Sequence, residues 1–126
     1  MAERINIKSI EKDFSGFKDR ILGILLFGSR ADGTQSKRSD IDVCLVAGKD
    51  NTNKLFGDVL KTDLTERYDI KIFELMPLKL KGSVLENYRI IWAKDRNELE
   101  YYLYKTARIW NDQKAALKKL GLEMYR

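Results

Sequence analysis

The stretch that decides the fold is LFGSRADGTQSKRSDIDVCLV, residues 26–46. It begins inside a continuous apolar run, Ile21-Leu22-Gly23-Ile24-Leu25-Leu26-Phe27, which has strand length and stops at Gly28-Ser29. Such a run reads as a strand buried on both faces at the centre of a sheet. Residues 29–39 are polar and contain a turn-forming Gly33, so they form a loop or one short helical turn. The chain then alternates through Asp40-Ile41-Asp42-Val43-Cys44-Leu45-Val46, the pattern of a strand with two unlike faces. Ile41, Val43 and Leu45 turn to the core, while Asp40 and Asp42 share the opposite face with Cα atoms roughly 6–7 Å apart.

Outward from this centre, Ile7, Ile10 and Phe14 step at helical spacing over roughly Asn6–Phe14, and a short linker at Ser15-Gly16 leads into the first strand. After a turn at Gly48–Asn53, Leu55, Val59, Leu60 and Leu64 predict a helix. Asp69–Leu75 predicts a third strand, with Ile70 and Ile72 on one face and Asp69, Lys71 and Phe73 on the other. Pro77 suits a helix start, followed by a helix over Leu78–Tyr88 and a short strand over Arg89–Ala93. From about Asn97 a long helix carries Leu99, Leu103, Ala107 or Thr106, Trp110, Leu117 and Leu120 along one stripe. Strands alternating with helices predict an α/β architecture, a small mixed sheet flanked by helices, in one domain over residues 1–126. Its core covers about residues 5–94 and its C-terminal helix about residues 96–120.

Composition narrows the chemistry. The 126 residues include no histidine and one cysteine, Cys44, so a Ser-His-Asp triad, a Cys-His pair and a His-ligated zinc site cannot be built from this chain. Catalysis would have to rest on carboxylates, hydroxyls, Lys or Arg. A lone Cys44 suits a reducing compartment, and at this position a small buried thiol is the expected role. No apolar stretch is long enough to span a membrane, and the start MAERINIKSIEKDF is too charged for a secretory signal, so a cytoplasmic protein is expected. The net charge of +5 favours anionic partners, though for nucleic acid it is the sole argument.

The chemistry converges on a few residues. Asp40 and Asp42 side by side repel unless solvent or a cation separates them. A hard divalent ion such as Mg²⁺ takes oxygen ligands and turns that repulsion into binding, and two such ions can clamp both oxygens of a phosphoryl transfer. Asp69, at the start of the third strand, can face the pair and complete the site. Glu74 has the wrong strand parity for it. Gly28 lets backbone amides approach a phosphate, and Ser29 adds a hydroxyl donor. Arg30, Lys37 and Ser39 lie near enough in sequence to contribute. Each feature also has a plainer reading: a solvated strand edge for Asp40 and Asp42, an exposed strand-start acid for Asp69, a strand-ending turn for Gly28-Ser29, and solvated loop residues for the rest. Trp92, Trp110, Tyr101, Tyr102 and Tyr104 read as packing or interface residues. Lys105, Arg108, Lys114, Lys118 and Lys119 read as a wet helix face.

In order and spacing, residues 26–46 with Asp69 resemble the signature of the DNA polymerase β-type nucleotidyltransferase superfamily, with the likeness running over about residues 20–75. Within it they most resemble the small stand-alone prokaryotic domains called minimal nucleotidyltransferases. The resemblance implies a polymerase β-like fold, with Gly28 and Ser29 as the phosphate-binding turn, Asp40 and Asp42 as the metal pair and Asp69 as the third carboxylate. It implies two Mg²⁺ ions and ATP as substrate. Such domains commonly stand beside HEPN-domain toxins, which implies an antitoxin that transfers AMP to a tyrosine of a HEPN partner. One departure is Asp32, where the family frequently has a basic residue. It leaves open a competing expectation, a binding antitoxin with an idle nucleotide site. An exposed sheet edge and the aromatics of the last helix make self-association a further expectation.

Overall fold

The computed structural model describes residues 3–4, 6–28, 34–35, 41–49 and 51–121. Its elements in chain order are β1 (Glu3–Arg4), α1 (Ile7–Asp13), β2 (Gly23–Phe27), β3 (Thr34–Gln35), β4 (Ile41–Val46), α2 (Thr52–Leu60), β5 (Tyr68–Ile72), α3 (Leu78–Glu86), β6 (Tyr88–Ala93) and α4 (Arg96–Lys119). The main sheet has the order β5-β4-β2-β6. β2 runs antiparallel to both β4 and β6, and β4 runs parallel to β5. A parallel pair needs a crossover rather than a hairpin, and α2 supplies it. β1 and β3 form a separate antiparallel pair.

The uninterrupted apolar run puts every residue of β2 in the interior. Ile24 and Leu26 join Val43, Leu45, Ile70 and Ile72 on one face, packed against Ile10 and Phe14 of the α1 segment and Leu55 and Val59 of α2. Leu25 and Phe27 join Cys44, Val46 and Phe73 on the other, covered by Val84 of α3 and by Leu99 and Leu103 of α4. The result is a three-layer α/β/α stack, and the alternation of residues 41–46 and 68–72 follows from it, because each strand serves two different covers.

Helix starts follow local chemistry. Asn6, Asn51 and Asp95 accept from the backbone N–H three residues on, at 3.1, 3.0 and 3.0 Å, satisfying donors that the first turn leaves orphaned. Pro77 stands directly before α3. α3 packs on α4, and the fit leaves no room for a side chain at Gly82: a Cβ there would lie 2.1 Å from the Trp110 indole nitrogen.

Several element ends differ from the sequence expectation. Ser15–Arg20 is a 3₁₀ turn rather than a bare linker. α2 stops at Leu60, and a second 3₁₀ turn over Asp63–Glu66 follows, opened by the Thr62 hydroxyl, which accepts from Leu64 N at 3.3 Å. β5 stops at Ile72 because Phe73–Leu75 coil into a third such turn, aiming Glu74 back at the end of β4. α3 yields to β6 at Tyr88, where pairing with Phe27 supplies backbone partners that a longer helix would forgo. The apolar stripe of α4 buries Leu99, Leu103 and Trp110 and then outruns the core, leaving Leu120 72% exposed. Among the described residues no helix is long and apolar enough to cross a membrane.

Candidate active site

Four strands contribute one residue each to a row across one end of the sheet. Asp69 of β5 pairs in register with Asp42 of β4, Asp42 with Phe27 of β2, and Phe27 with Tyr88 of β6. Residues in register on adjacent strands share a face, so two carboxylates stand beside two aromatic side chains. Phe27 and Tyr88 belong to the core under α3 and α4, whereas Asp42 is half-buried and the Asp69 side chain is 43% exposed. The carboxylates therefore sit where the cover of the sheet gives out.

Gly28 follows β2 directly beside them. Its φ of +74° lies in the left-handed region that glycine enters without a Cβ clash. The space above it is already taken: a Cβ at this position would fall 2.5 Å from Asp42 Oδ2. The turn backbone and the Asp42 carboxylate thus touch, an arrangement only glycine permits.

Neighbouring parallel strands are roughly 4.7–4.9 Å apart, so Asp42 and Asp69 bring two negative charges into close lateral range. Part of that repulsion is answered locally. Lys71 lies two residues beyond Asp69, on the same face and in register with Cys44, and its Nζ is 3.3 Å from Asp69 Oδ1. Lys71 carried no role in the sequence reading, though its shared parity with Asp69 is legible there. Two carboxylates side by side offer oxygen ligands, the donor set that hard divalent cations select. Among the described residues no group of three or more acidic, Cys or His side chains gathers to hold a metal. Asp40, Ser29, Arg30, Asp32, Lys37 and Ser39 lie outside the described residues.

Two other residues are resolved by their surroundings. Cys44 is fully buried, and that burial, followed by the nearby Glu74 charge, pushes its thiol well above the usual range, so it stays protonated and unreactive. Glu74 is excluded from the acidic corner by more than parity. Its oxygens accept from Ala47 N and Gly48 N, both at 2.9 Å, and from the Tyr102 hydroxyl at 2.7 Å. Burial and then this bond raise Tyr102 above the ordinary tyrosine range. Tyr102 is thus a structural residue, while Tyr101 and Tyr104 are exposed.

The comparisons with known proteins concern this same region. Residues 8–97, from α1 into the start of α4, match the family described as "Polymerase beta, Nucleotidyltransferase". The chain is 40% identical over 100 residues to "Putative protein adenylyltransferase MJ1547" of Methanocaldococcus jannaschii, covering 79% of this chain and 78% of that one. Among solved structures it resembles a chain of a toxin–antitoxin complex with AMP-PNP, at a TM-score of 0.67 and 24% identity over 92% of this chain and 95% of that one. It also resembles a chain of the tri-AMPylated Shewanella oneidensis HEPN toxin in complex with MNT antitoxin, at a TM-score of 0.63 and 20% identity over 90% and 91% of the two chains. The structural likenesses show a shared fold, and the family match with the archaeal relative goes further: this chain belongs to the polymerase beta nucleotidyltransferase family.

Proposed function

We propose that the protein is a Mg²⁺-dependent adenylyltransferase that moves AMP from ATP onto a tyrosine of a HEPN-domain toxin and so acts as its antitoxin. The observation that carries this reading is the in-register pair Asp42 and Asp69 set against the Gly28 turn. The 40% identical archaeal relative named as a protein adenylyltransferase supports the protein acceptor. The toxin–antitoxin complexes that share the fold, one with AMP-PNP and one with an AMPylated HEPN toxin, support the nucleotide and the partner.

In this reading Asp42 and Asp69, with Asp40 from the same strand of the sequence, would hold Mg²⁺. The ions would supply charge neutralisation at the phosphates and at the attacking oxygen. The chain's own groups position the reactants. Gly28, with Ser29, Arg30 and Ser39 beside it in sequence, receives the β- and γ-phosphates against a turn that has no side chain to obstruct them. The acceptor oxygen attacks the α-phosphorus as its proton passes to Asp69 or to water. The bond from the α-phosphorus to the bridging oxygen breaks, and pyrophosphate leaves with the electron pair. Positioning and electrostatics carry most of such a transfer. ATP as donor and a reduced Cys44 suit the cytoplasm.

Incubation with Mg²⁺, labelled ATP and the candidate HEPN protein tests this reading. Asp42→Asn should lower AMP transfer by roughly 10²–10³-fold, the scale of losing an electrostatic stabiliser. Its cooperative melting transition should persist, which separates a lost site from a lost fold. Transfer at the wild-type rate would sink the assignment. Asp32, in place of the family's frequent basic residue, favours a second reading in which the protein silences its partner by contact alone. An Asp40→Asn/Asp42→Asn variant that still neutralised the toxin would select it.

A further inference from the structure

The opposite end of the sheet carries a cavity. From Leu22, just before β2, to Phe27 at its end the chain advances five residues, so this end is roughly 17 Å from the acidic corner at about 3.3 Å per residue. The cavity has a volume of about 460 Å³, within the size range of small-molecule sites. Ile21 and Leu22 give it an apolar floor and Tyr101 an aromatic wall. Tyr101 is 62% exposed.

Three lysines from three elements line the rim: Lys49 after β4, Lys94 after β6 and Lys105 on α4. Among the described residues none of them is held in a salt bridge, and Lys105 Nζ lies 5.2 Å from the centre of the Tyr101 ring. Arg20 also borders the cavity, but its guanidinium is bound to Asp58 at 2.8 Å. Asp19 and Glu98 are the opposing charges on the rim. Three ammonium groups against two carboxylates leave an excess of positive charge that a compact anion would neutralise.

Four backbone N–H groups at this rim are already committed. Leu22 N donates to Val46 O at 2.7 Å and Lys94 N to Leu22 O at 3.0 Å, while Ala47 N and Gly48 N are held by Glu74. An extended peptide that adds to a sheet edge docks through main-chain hydrogen bonds, and these four donors are already used. What remains is an exposed aromatic side chain and ammonium groups outside any salt bridge among the described residues, which suit a flat base with a phosphate tail.

We propose that this cavity is a second, metal-independent nucleotide site, with the base stacked on Tyr101 and the phosphates held by Lys49, Lys94 and Lys105. The test is a ¹⁵N NMR titration of the full chain with ATP in EDTA, in an Asp42→Asn background that disables the acidic corner. Saturable shifts are expected at residues 21–22, 47–49 and 94–105. Adenosine and inorganic triphosphate should each bind roughly tenfold more weakly than ATP, and Lys94→Glu/Lys105→Glu should weaken ATP by a similar factor or more. Tyr101→Ala, a surface change the fold tolerates, should weaken ATP while leaving triphosphate unaffected. The proposal is overturned by unsaturable shifts, by shifts confined to residues 27–28, 42 and 69, or by triphosphate binding as tightly as ATP. It is equally overturned if a hexaglutamate peptide shifts these residues at lower concentration than ATP, which would mark a protein-docking surface.

Discussion

The β4–β5 region carries acidic side chains at both of its ends, and they live in opposite circumstances. At one end Asp42 and Asp69 are placed in register, half-exposed, with the ammonium of Lys71 near one of them. At the other, Glu74 is enclosed by three donors: two backbone amides and the Tyr102 hydroxyl. A carboxylate whose lone pairs are consumed inside the fold holds the fold together and has little left for a ligand. Two carboxylates in register on adjacent strands repel one another, and a divalent cation bound between them relieves that repulsion. Charge satisfaction, more than residue type, separates the structural acid from the candidate catalytic ones.

The hardest blow to the acidic end is expected from Gly28→Ala. The left-handed backbone disfavours any side chain by about 1–2 kcal/mol. A methyl group would also meet Asp42 Oδ2 at 2.5 Å, so the carboxylate must move. Displacement of a reacting group by about 1 Å costs on the order of 10²-fold in rate. AMP transfer by Gly28→Ala should fall at least that far in the labelled-ATP assay, with a modest loss of stability. A variant that kept transfer within a few-fold of wild type would detach the turn from the site.

The complementary change at the other end is Glu74→Gln, which should separate stability from activity in the opposite sense. An amide keeps one acceptor oxygen but presents its NH₂ to donors, so at least one of Ala47 N, Gly48 N or the Tyr102 hydroxyl is left unpaired. Such a loss costs about 1–3 kcal/mol, a drop of several degrees in melting temperature for a chain of this size. Transfer per folded molecule should stay near wild type. Rate loss without thermal loss would mean that Glu74 belongs to the chemistry after all.

The sequence exposes one side of this comparison better than the other. Alternation in Asp40–Val46 and from Asp69 onward was enough to say which face each side chain takes, and the described residues follow it. Which residue of β5 lies opposite Asp42 depends on the register of a parallel pair joined through α2, and no local pattern encodes that. Glu74 shows the same limit from the other direction. Its parity argued against a metal role, but its partners are 26 to 28 residues away, and β5 ends before reaching it. The α4 stripe was legible to Trp110, and its periodicity continued where there was no more sheet or α3 to cover. The Gly28 turn was readable as glycine, whereas its contact with Asp42 is a property of the folded chain.

The smallest expected effect tests the comparison most directly. Lys71→Met keeps the length and apolar stem of the side chain and removes the ammonium 3.3 Å from Asp69 Oδ1. The pair is substantially exposed, so its worth in ordinary salt is roughly 0.2–1 kcal/mol, a shift of only a few degrees in melting temperature. The informative quantity is how that shift responds to Mg²⁺. If Lys71 and a divalent ion answer the same repulsion, the variant should be less stable than wild type in EDTA, and millimolar Mg²⁺ should close the gap by stabilising the variant more. High salt should narrow it as well, by screening the carboxylates from one another. A deficit unchanged by Mg²⁺ would mean that Lys71 is an ordinary surface partner of Asp69 and that no cation is drawn to this corner. The contrast between the two ends of the strand pair would then reduce to a difference in exposure.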